Sequence, residues 1–215
     1  MPSMRKTNGL FITFEGPEGA GKTTQMIRLR DTLTEKGHCV VLTREPGGTV
    51  LGEKLRHLIK HFDAPEGVAP EAELLMFGAS RAQHMRCIIT PHLAMGGVVL
   101  CDRFADSTTV YQGVARGLDP AFISAMHRFT VGDCWPDLTL LLDLDVDAGS
   151  ARAHHRNGTA SDRIEDEPRA FHEAVRQGFL DLARREPERI KVIDANGSPD
   201  LVHARILEVV NRVVS

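Results

Sequence analysis

Hydrophobic residues recur along this chain in short unbroken runs set between longer amphipathic stretches. The runs Leu10–Glu15, Cys39–Thr43, Val98–Cys101, Leu138–Asp143 and Ile190–Asp194 are rich in apolar residues and flanked by polar or glycine positions. Strands covered on both faces have this composition, because neither side of the pleat meets water. Helical patterns fall between them, at Lys22–Glu35, Val50–His61, Pro70–Ile89, Pro120–Val131, Arg169–Arg185 and Pro199–Val214. The alternation predicts an α/β fold, a doubly wound five-stranded parallel sheet with helices on both faces. Ligands of such sheets sit beyond the carboxyl ends of the strands. No internal repeat or low-complexity linker breaks the pattern, so a single domain over residues 1–215 is expected. One polar excursion, Arg152–Glu167, is too charged to be core.

Immediately after the first run stands GPEGAGKT, Gly16 to Thr23, which fits G-x-x-x-x-G-K-[ST] between a strand and a helix. The glycines at 16, 19 and 21 permit torsions that turn successive N–H groups into one concavity. The start of the next helix adds free N–H groups and the positive end of its dipole. Residues Gly16, Pro17, Glu18, Gly19, Ala20, Gly21, Lys22, Thr23 and Thr24 are therefore expected to cradle a nucleoside triphosphate. Lys22 would reach the β and γ phosphates and the Thr23 hydroxyl would hold Mg²⁺. An incidental glycine turn is the competing reading, and the strand before and helix after weigh against it.

Composition narrows the class without choosing a substrate. The 215 residues suffice for a buried core, and 42% hydrophobic with 26% charged residues is ordinary for a soluble globular protein. A formal charge of −3 gives no electrostatic case for nucleic acid or an anionic membrane. The cysteines Cys39, Cys87, Cys101 and Cys134 form no C-x-x-C pair, and Cys39 and Cys101 lie in strand-like runs, so buried reduced thiols are expected. The first residues lack an apolar signal core and no apolar run is long enough to cross a bilayer, which makes a cytoplasmic location the expectation.

The strand ends carry further chemistry. Asp102 closes the third strand opposite the phosphate loop, a place suited to holding Mg²⁺ directly or through water. Arg103 beside it offers a planar fork for a phosphate, although an Asp-Arg pair can equally be a surface salt bridge. Phe77 and Arg81 stand four residues apart in a helix and so share a face. A ring there can stack on a nucleobase beside a guanidinium, yet a Phe at helical spacing is more commonly core. His57 and His61 have the spacing of a helical metal pair, but no Glu follows His57 and no third ligand is evident, so no zinc is assigned.

The ordered set FEGPEGAGKTT, TREPGGT, LLMFGASRAQH, DRFADSTTVYQG, PDLTLLLDLD and SDRIE resembles bacterial thymidylate kinase, from about Gly9 to past Phe179. TREPGGT combined with DRF…S…YQG is far more specific than the phosphate loop alone. The resemblance implies a P-loop kinase with a mobile lid at about 150–167. It implies transfer of the γ-phosphoryl of ATP to dTMP, giving dTDP and ADP for dTTP synthesis, with Mg²⁺ as cofactor and a homodimer as the assembly. Residue by residue, it implies that Glu18 accepts from the sugar 3′-OH and that Arg56 and Arg103 bind the acceptor phosphate. It implies that Phe77 stacks on thymine, that Arg81 contacts the base, and that Thr108 and Gln112 line the base pocket. Tyr111 resembles the residue packed near the sugar, where bulk disfavours a ribose 2′-OH. Some relatives place an arginine within the phosphate loop, where this chain has Gly19. The other subtype carries it on the lid, and Arg152 and Arg156 match, with Arg163 a third candidate and Arg156 ranked first. His154 and His155 depart from the family's lid, and Phe171 and Phe179 fall where relatives commonly show a tyrosine. The purine is expected near Asp194–Asn196.

Two rival readings stay open on the sequence. A kinase for another nucleoside or nucleotide is one: the phosphate-pocket arginines favour a monophosphate over an uncharged nucleoside, but a methyl group is worth only ~1–3 kcal/mol of discrimination against uracil nucleotides. A nucleotide-binding switch is the other, against which stands the lack of an N-K-x-D guanine reader.

Overall fold

The structure, a computed structural model, describes residues 9–157 and 162–213, with the backbone alone described over 153–157. The strands β1 (Leu10–Glu15), β2 (Val40–Arg44), β3 (Val98–Asp102), β4 (Leu138–Asp143) and β5 (Ile190–Asp194) form one parallel sheet in the order β2-β3-β1-β4-β5. Strand β1 is central, pairing Phe14 with Asp102 of β3 on one side and with Leu140 of β4 on the other. The segment leaving β1 therefore emerges between two strand ends, where the crevice of such a sheet lies.

Alternation along each strand divides the core into two layers. Ile12, Phe14, Leu100, Leu140 and Leu142 point to one face and pack with Leu29, Leu33, Ile206 and Val210. These belong to helices α1 (Lys22–Glu35) and α9 (Pro199–Val210). Phe11, Val99 and Cys101 point the other way and pack with Met85, Ile89, Leu93 and Phe104. Phe11 and Phe104 meet edge-on at 5.0 Å between ring centroids, a geometry worth ~0.5–1.5 kcal/mol beyond their area.

The helix expected over Pro70–Ile89 is α3 (Pro70–His84), continued by a π-helical turn at Met85–Ile89 into α4 (Thr90–Ala94). Helix α2 (Val50–His61) is capped by Thr49, whose side chain accepts from the Gly52 N–H at 3.0 Å. After β3 the chain forms α5 (Ala105–Thr108) and a second π-helical segment, Thr109–Ala115, which carries Tyr111 and Gln112. Wide turns of this kind recur where side chains must be re-aimed toward a site. Helices α6 (Pro120–Thr130) and α8 (Arg169–Arg185) follow the pattern read from the sequence.

Two expectations are corrected. Cys39 is exposed, since β2 begins one residue later, at Val40, on the edge of the sheet. The polar excursion begins inside a helix, α7 (Val146–Asn157), and its Asp162 is buried against Lys60 of α2. Helix α7 opens VDAGSARA, with small residues where a core-facing helix carries large ones. That small face lets α7 lie directly on the phosphate loop. A β-carbon at Gly19 would sit 2.1 Å from the Gly149 carbonyl oxygen, and one at Gly149 would sit 2.6 Å from that of Glu18.

Candidate active site

Gly16, Gly19 and Gly21 adopt φ of 127°, 73° and 87°, torsions open to glycine and strained for other residues. They wrap the loop around the amino end of α1. Lys22 is buried there, donating from Nζ to the carbonyl oxygens of Gly16 at 3.2 Å and Pro17 at 2.8 Å. Burial and the neighbouring Arg103 lower its ammonium to about 8. The Thr23 hydroxyl donates to Asp102 Oδ2 at 3.1 Å, so loop and β3 present two hard oxygen ligands side by side. This pair fits Mg²⁺, which takes one or two protein oxygens and completes its shell with water and substrate phosphates.

Arg103 is the one non-glycine residue with positive φ (66°) among the described residues. Its N–H donates to the Phe14 carbonyl at 2.9 Å, and its guanidinium lies 3.5 Å from Glu18 and over the Tyr111 ring at 5.1 Å. Glu15, wholly buried at the end of β1, holds the next turn in place. Its Oε1 accepts from the N–H groups of Phe104 (2.8 Å) and Ser107 (3.2 Å), and its Oε2 accepts from the Ser107 hydroxyl at 2.6 Å. Burial and nearby Asp106 push the Glu15 carboxyl up to about 7. Strain at Arg103 is thus held by contacts on both sides of it, the pattern of a residue kept in a costly conformation for use.

A cavity of about 960 Å³ opens over these groups, lined by Glu18, Gly19, Gly21, Lys22, Thr23, Thr24, Asp102 and Arg103, and also by Arg56, Phe77, Arg81, Tyr111 and Gln112. Residues far apart in the chain are gathered in one space. Arg56 is half-buried with Nη1 on the Pro46 carbonyl at 3.0 Å, and burial together with Arg44 lowers its basicity. Arg81 is 1% exposed: Nε donates to Glu45 at 2.7 Å and Nη2 to the Thr108 hydroxyl at 2.8 Å. Its Nη1 has no hydrogen-bond partner among the described residues.

Several expected residues stand elsewhere. Gly16, Pro17 and Ala20 form the back of the loop and do not line the cavity. Thr108 does not line it either; its hydroxyl stands behind Arg81 as an acceptor. Arg152 is exposed on α7 and donates to the Ala195 carbonyl at 3.3 Å, beside the turn expected to hold the purine. The side chains of His154, His155 and Arg156 lie outside the described residues. Arg163 pairs with Glu73 and donates to the Ile59 carbonyl at 3.1 Å. Phe171 and Phe179 meet the Tyr111 ring edge-on at 6.0 and 6.1 Å. His57 and His61 lie with their rings tilted at 50° and 5.3 Å apart, both exposed on α2.

The sequence reading missed the carboxylates behind the cavity. Glu45, 4% exposed, holds Arg81 on one oxygen and His84 on the other at 3.0 Å, while His84 reaches the Thr43 hydroxyl at 2.6 Å. Glu73, 1% exposed, accepts from Gln112 at 2.8 Å and from Arg116 at 3.3 Å. A carboxylate directly before the Pro-Gly-Gly turn was the visible sign for Glu45; for Glu73 nothing local distinguishes it from a helix-surface acid.

Comparison with known proteins gives one answer. A family model described as thymidylate kinase matches residues 14–206. The chain is 53% identical over 209 residues to a thymidylate kinase of Desulfosudis oleivorans, covering 95% of this chain and 97% of that protein. It is 50% identical over 200 residues to one of Syntrophotalea carbinolica, covering 91% and 92% respectively. Among solved structures it is similar to a crystal structure of thymidylate kinase from Ehrlichia chaffeensis, with a TM-score of 0.77 and 36% identity over 95% of this chain and 100% of that one.

Proposed function

Because the chain belongs to the thymidylate kinase family, which phosphorylates dTMP with ATP on the way to dTTP, we propose that its cavity residues divide that work as follows. The loop N–H groups between Glu18 and Thr24, together with the Lys22 ammonium, hold the triphosphate. Thr23 and Asp102 hold Mg²⁺, which when bound neutralises charge on the phosphates. Arg103 and Arg56 take the dTMP phosphate, and Glu18 accepts from its sugar hydroxyl while tethering Arg103. Phe77 stacks on thymine, the free Arg81 Nη1 donates to a base carbonyl, and Tyr111 fills the space beside the sugar. Arg156, with Arg152 beside it on α7, brings the lid's positive charge to the moving group.

The physical task is to bring two polyanions end to end. Phosphoryl transfer asks little covalent chemistry of the protein, so positioning and cations do most of it. Lys22 on the donor side and Arg103 on the acceptor side belong to one cavity, and the closed lid excludes water that would otherwise take the phosphoryl group. The observation that carries this reading is the buried, unpartnered Arg81 nitrogen in the same cavity as the phosphate loop. A coupled assay for ADP with the acceptor varied tests it. Rapid release dependent on dTMP and absent with thymidine is expected; ATP turnover indifferent to the acceptor would overturn it.

The assembly we propose is a homodimer. Phe122 and Phe129, one helical repeat of seven apart on α6, are 50% and 73% exposed, with Leu75 of α3 at 55%. Large apolar groups this open fit an isologous contact with a second copy. Sedimentation should give a dimer, and Phe129→Asp a monomer. No helix of the described residues is long and apolar enough to cross a membrane; the cytoplasmic placement rests on the family alone.

A further inference from the structure

A glutamine side chain ends in an acceptor and a donor of nearly the same shape, so what it offers a ligand depends on what its other end is doing. Gln112 is 2% exposed and lines the acceptor cavity. Its Nε2 donates to Glu73 Oε1 at 2.8 Å. An ionised carboxylate only accepts, so it holds the amide with NH₂ turned toward itself and leaves the carbonyl oxygen for the cavity. Glu73 is kept ionised: burial would raise its pKa, but the Gln112 bond and the guanidinium groups of Arg163 and Arg116 together lower it. A neutral acid or an amide at position 73 could donate instead, and Gln112 would then be free to turn over.

The same logic governs Arg81. Its Nε is engaged by Glu45 and its Nη2 by Phe104 and Thr108, which leaves Nη1 as a fixed donor. The base pocket therefore offers one donor and one acceptor, each fixed from behind by a buried carboxylate. The 4-carbonyl and N3–H of a thymine or uracil ring complement that pair. Cytosine carries an amino group and a bare ring nitrogen at the same two places, so both contacts would meet like with like.

We propose that Glu73, without touching the acceptor, is the positioning residue that fixes the Gln112 amide and so excludes cytosine nucleotides from this site. The inference rests on the cavity being the acceptor base pocket. A pocket built to bond one edge rejects an analogue lacking that edge by far more than a missing methyl group can achieve. Glu73 also anchors Arg116 and, from the lid segment, Arg163, so loss of activity alone says nothing of its role. The discriminating quantity is the ratio of kcat/KM for dTMP to that for dCMP.

Glu73→Gln should lower kcat/KM for dTMP and raise it for dCMP, narrowing the ratio by about tenfold or more as the mismatch is relieved. Arg163→Ala breaks the lid anchor and spares the Glu73–Gln112 bond, so it should change both acceptors alike and leave the ratio as in the wild type. Gln112→Leu removes the amide itself and should narrow the ratio with Glu73 intact; it carries the test if Glu73→Gln does not fold. A folded Glu73→Gln enzyme with an unchanged ratio, a Gln112→Leu enzyme with full discrimination, or an Arg163→Ala enzyme that loses it would each overturn the proposal. Failure of the wild type to phosphorylate dTMP would instead overturn the reading of the cavity.

Discussion

The two halves of the cavity are built from different materials. On the side of Phe77 and Arg81 the wall is side chain, buried and cross-linked: Arg81 to Glu45, Glu45 to His84, His84 to Thr43, and Glu73 to Gln112 and Arg116. On the side of the phosphate loop it is largely backbone, with glycines at positive φ and with Thr23 and Thr24 exposed. On the proposed division of the cavity, the difference follows from what each half would have to distinguish. A triphosphate is the same in every nucleotide, and a nest of N–H groups holds it without reading anything. A base must be told from close relatives, which requires donors and acceptors that cannot turn round. Buried carboxylates supply that rigidity at a desolvation cost met only by complete pairing.

Substitutions on the two sides should therefore fail differently, and the sharpest contrast comes from the donor side. Arg156→Ala is expected to lower kcat by ~10³-fold or more, as for other phosphotransfer arginines, with the KM for dTMP little changed. Unaltered turnover would remove Arg156 from the lid role. Lys22→Met should lower kcat by ~10²–10³-fold, the range for deleting one preorganised donor, again sparing dTMP affinity. Steady-state kinetics in both substrates separates these outcomes.

Across the cavity, Glu45→Ala should act first on the fold. Leaving Arg81 buried and unpaired costs about 3–5 kcal/mol, visible in urea unfolding. An exposed-residue effect below ~1 kcal/mol would contradict the cross-linked wall. Phe77→Ala should raise the dTMP KM in proportion to a lost stacking energy of ~1–3 kcal/mol while kcat changes less. An unaltered KM would count against stacking.

The smallest effect is one of pH, and it belongs to the donor side alone. Lys22 titrates at about 8 in the unliganded protein because burial and Arg103 disfavour its charge. Bound phosphates restore the ordinary preference for the ammonium, so above that pH binding must take up a proton. ATP affinity should then fall by about tenfold per unit as pH rises beyond 8, and stay level below it. Calorimetry in buffers of different ionisation heat measures the uptake. Lys22→Arg should abolish the dependence, and persistence of it there would assign the proton to another group.

How much of this could be read in advance follows from the same division. The phosphate loop and its strand were legible since glycine spacing and a continuous apolar run are local signals. Strands β1, β4 and β5 fell where their runs predicted. Helix α7 was not legible, because it buries small residues against backbone and so has no apolar stripe to count. Cys39 was misplaced by one step at an edge strand, where burial ends abruptly. The buried acids were the larger omission. Glu45 and Glu73 meet partners 36 and 39 residues away, and in sequence such charges look like solvated surface. Arg163 was grouped with the lid cations for its charge, and its contacts with Glu73 and the Ile59 carbonyl, 90 and 104 residues away, could not be read from the sequence.

At the junction of the phosphate loop and α7, Gly19 and Gly149 approach main chain to main chain. No side chain of any kind fits between them, so a long cationic residue at position 19 and a docked α7 are mutually exclusive. On the proposed lid assignment, a bare position 19 leaves a fixed fulcrum beside the phosphate loop, and the moving charge is carried farther out along the lever.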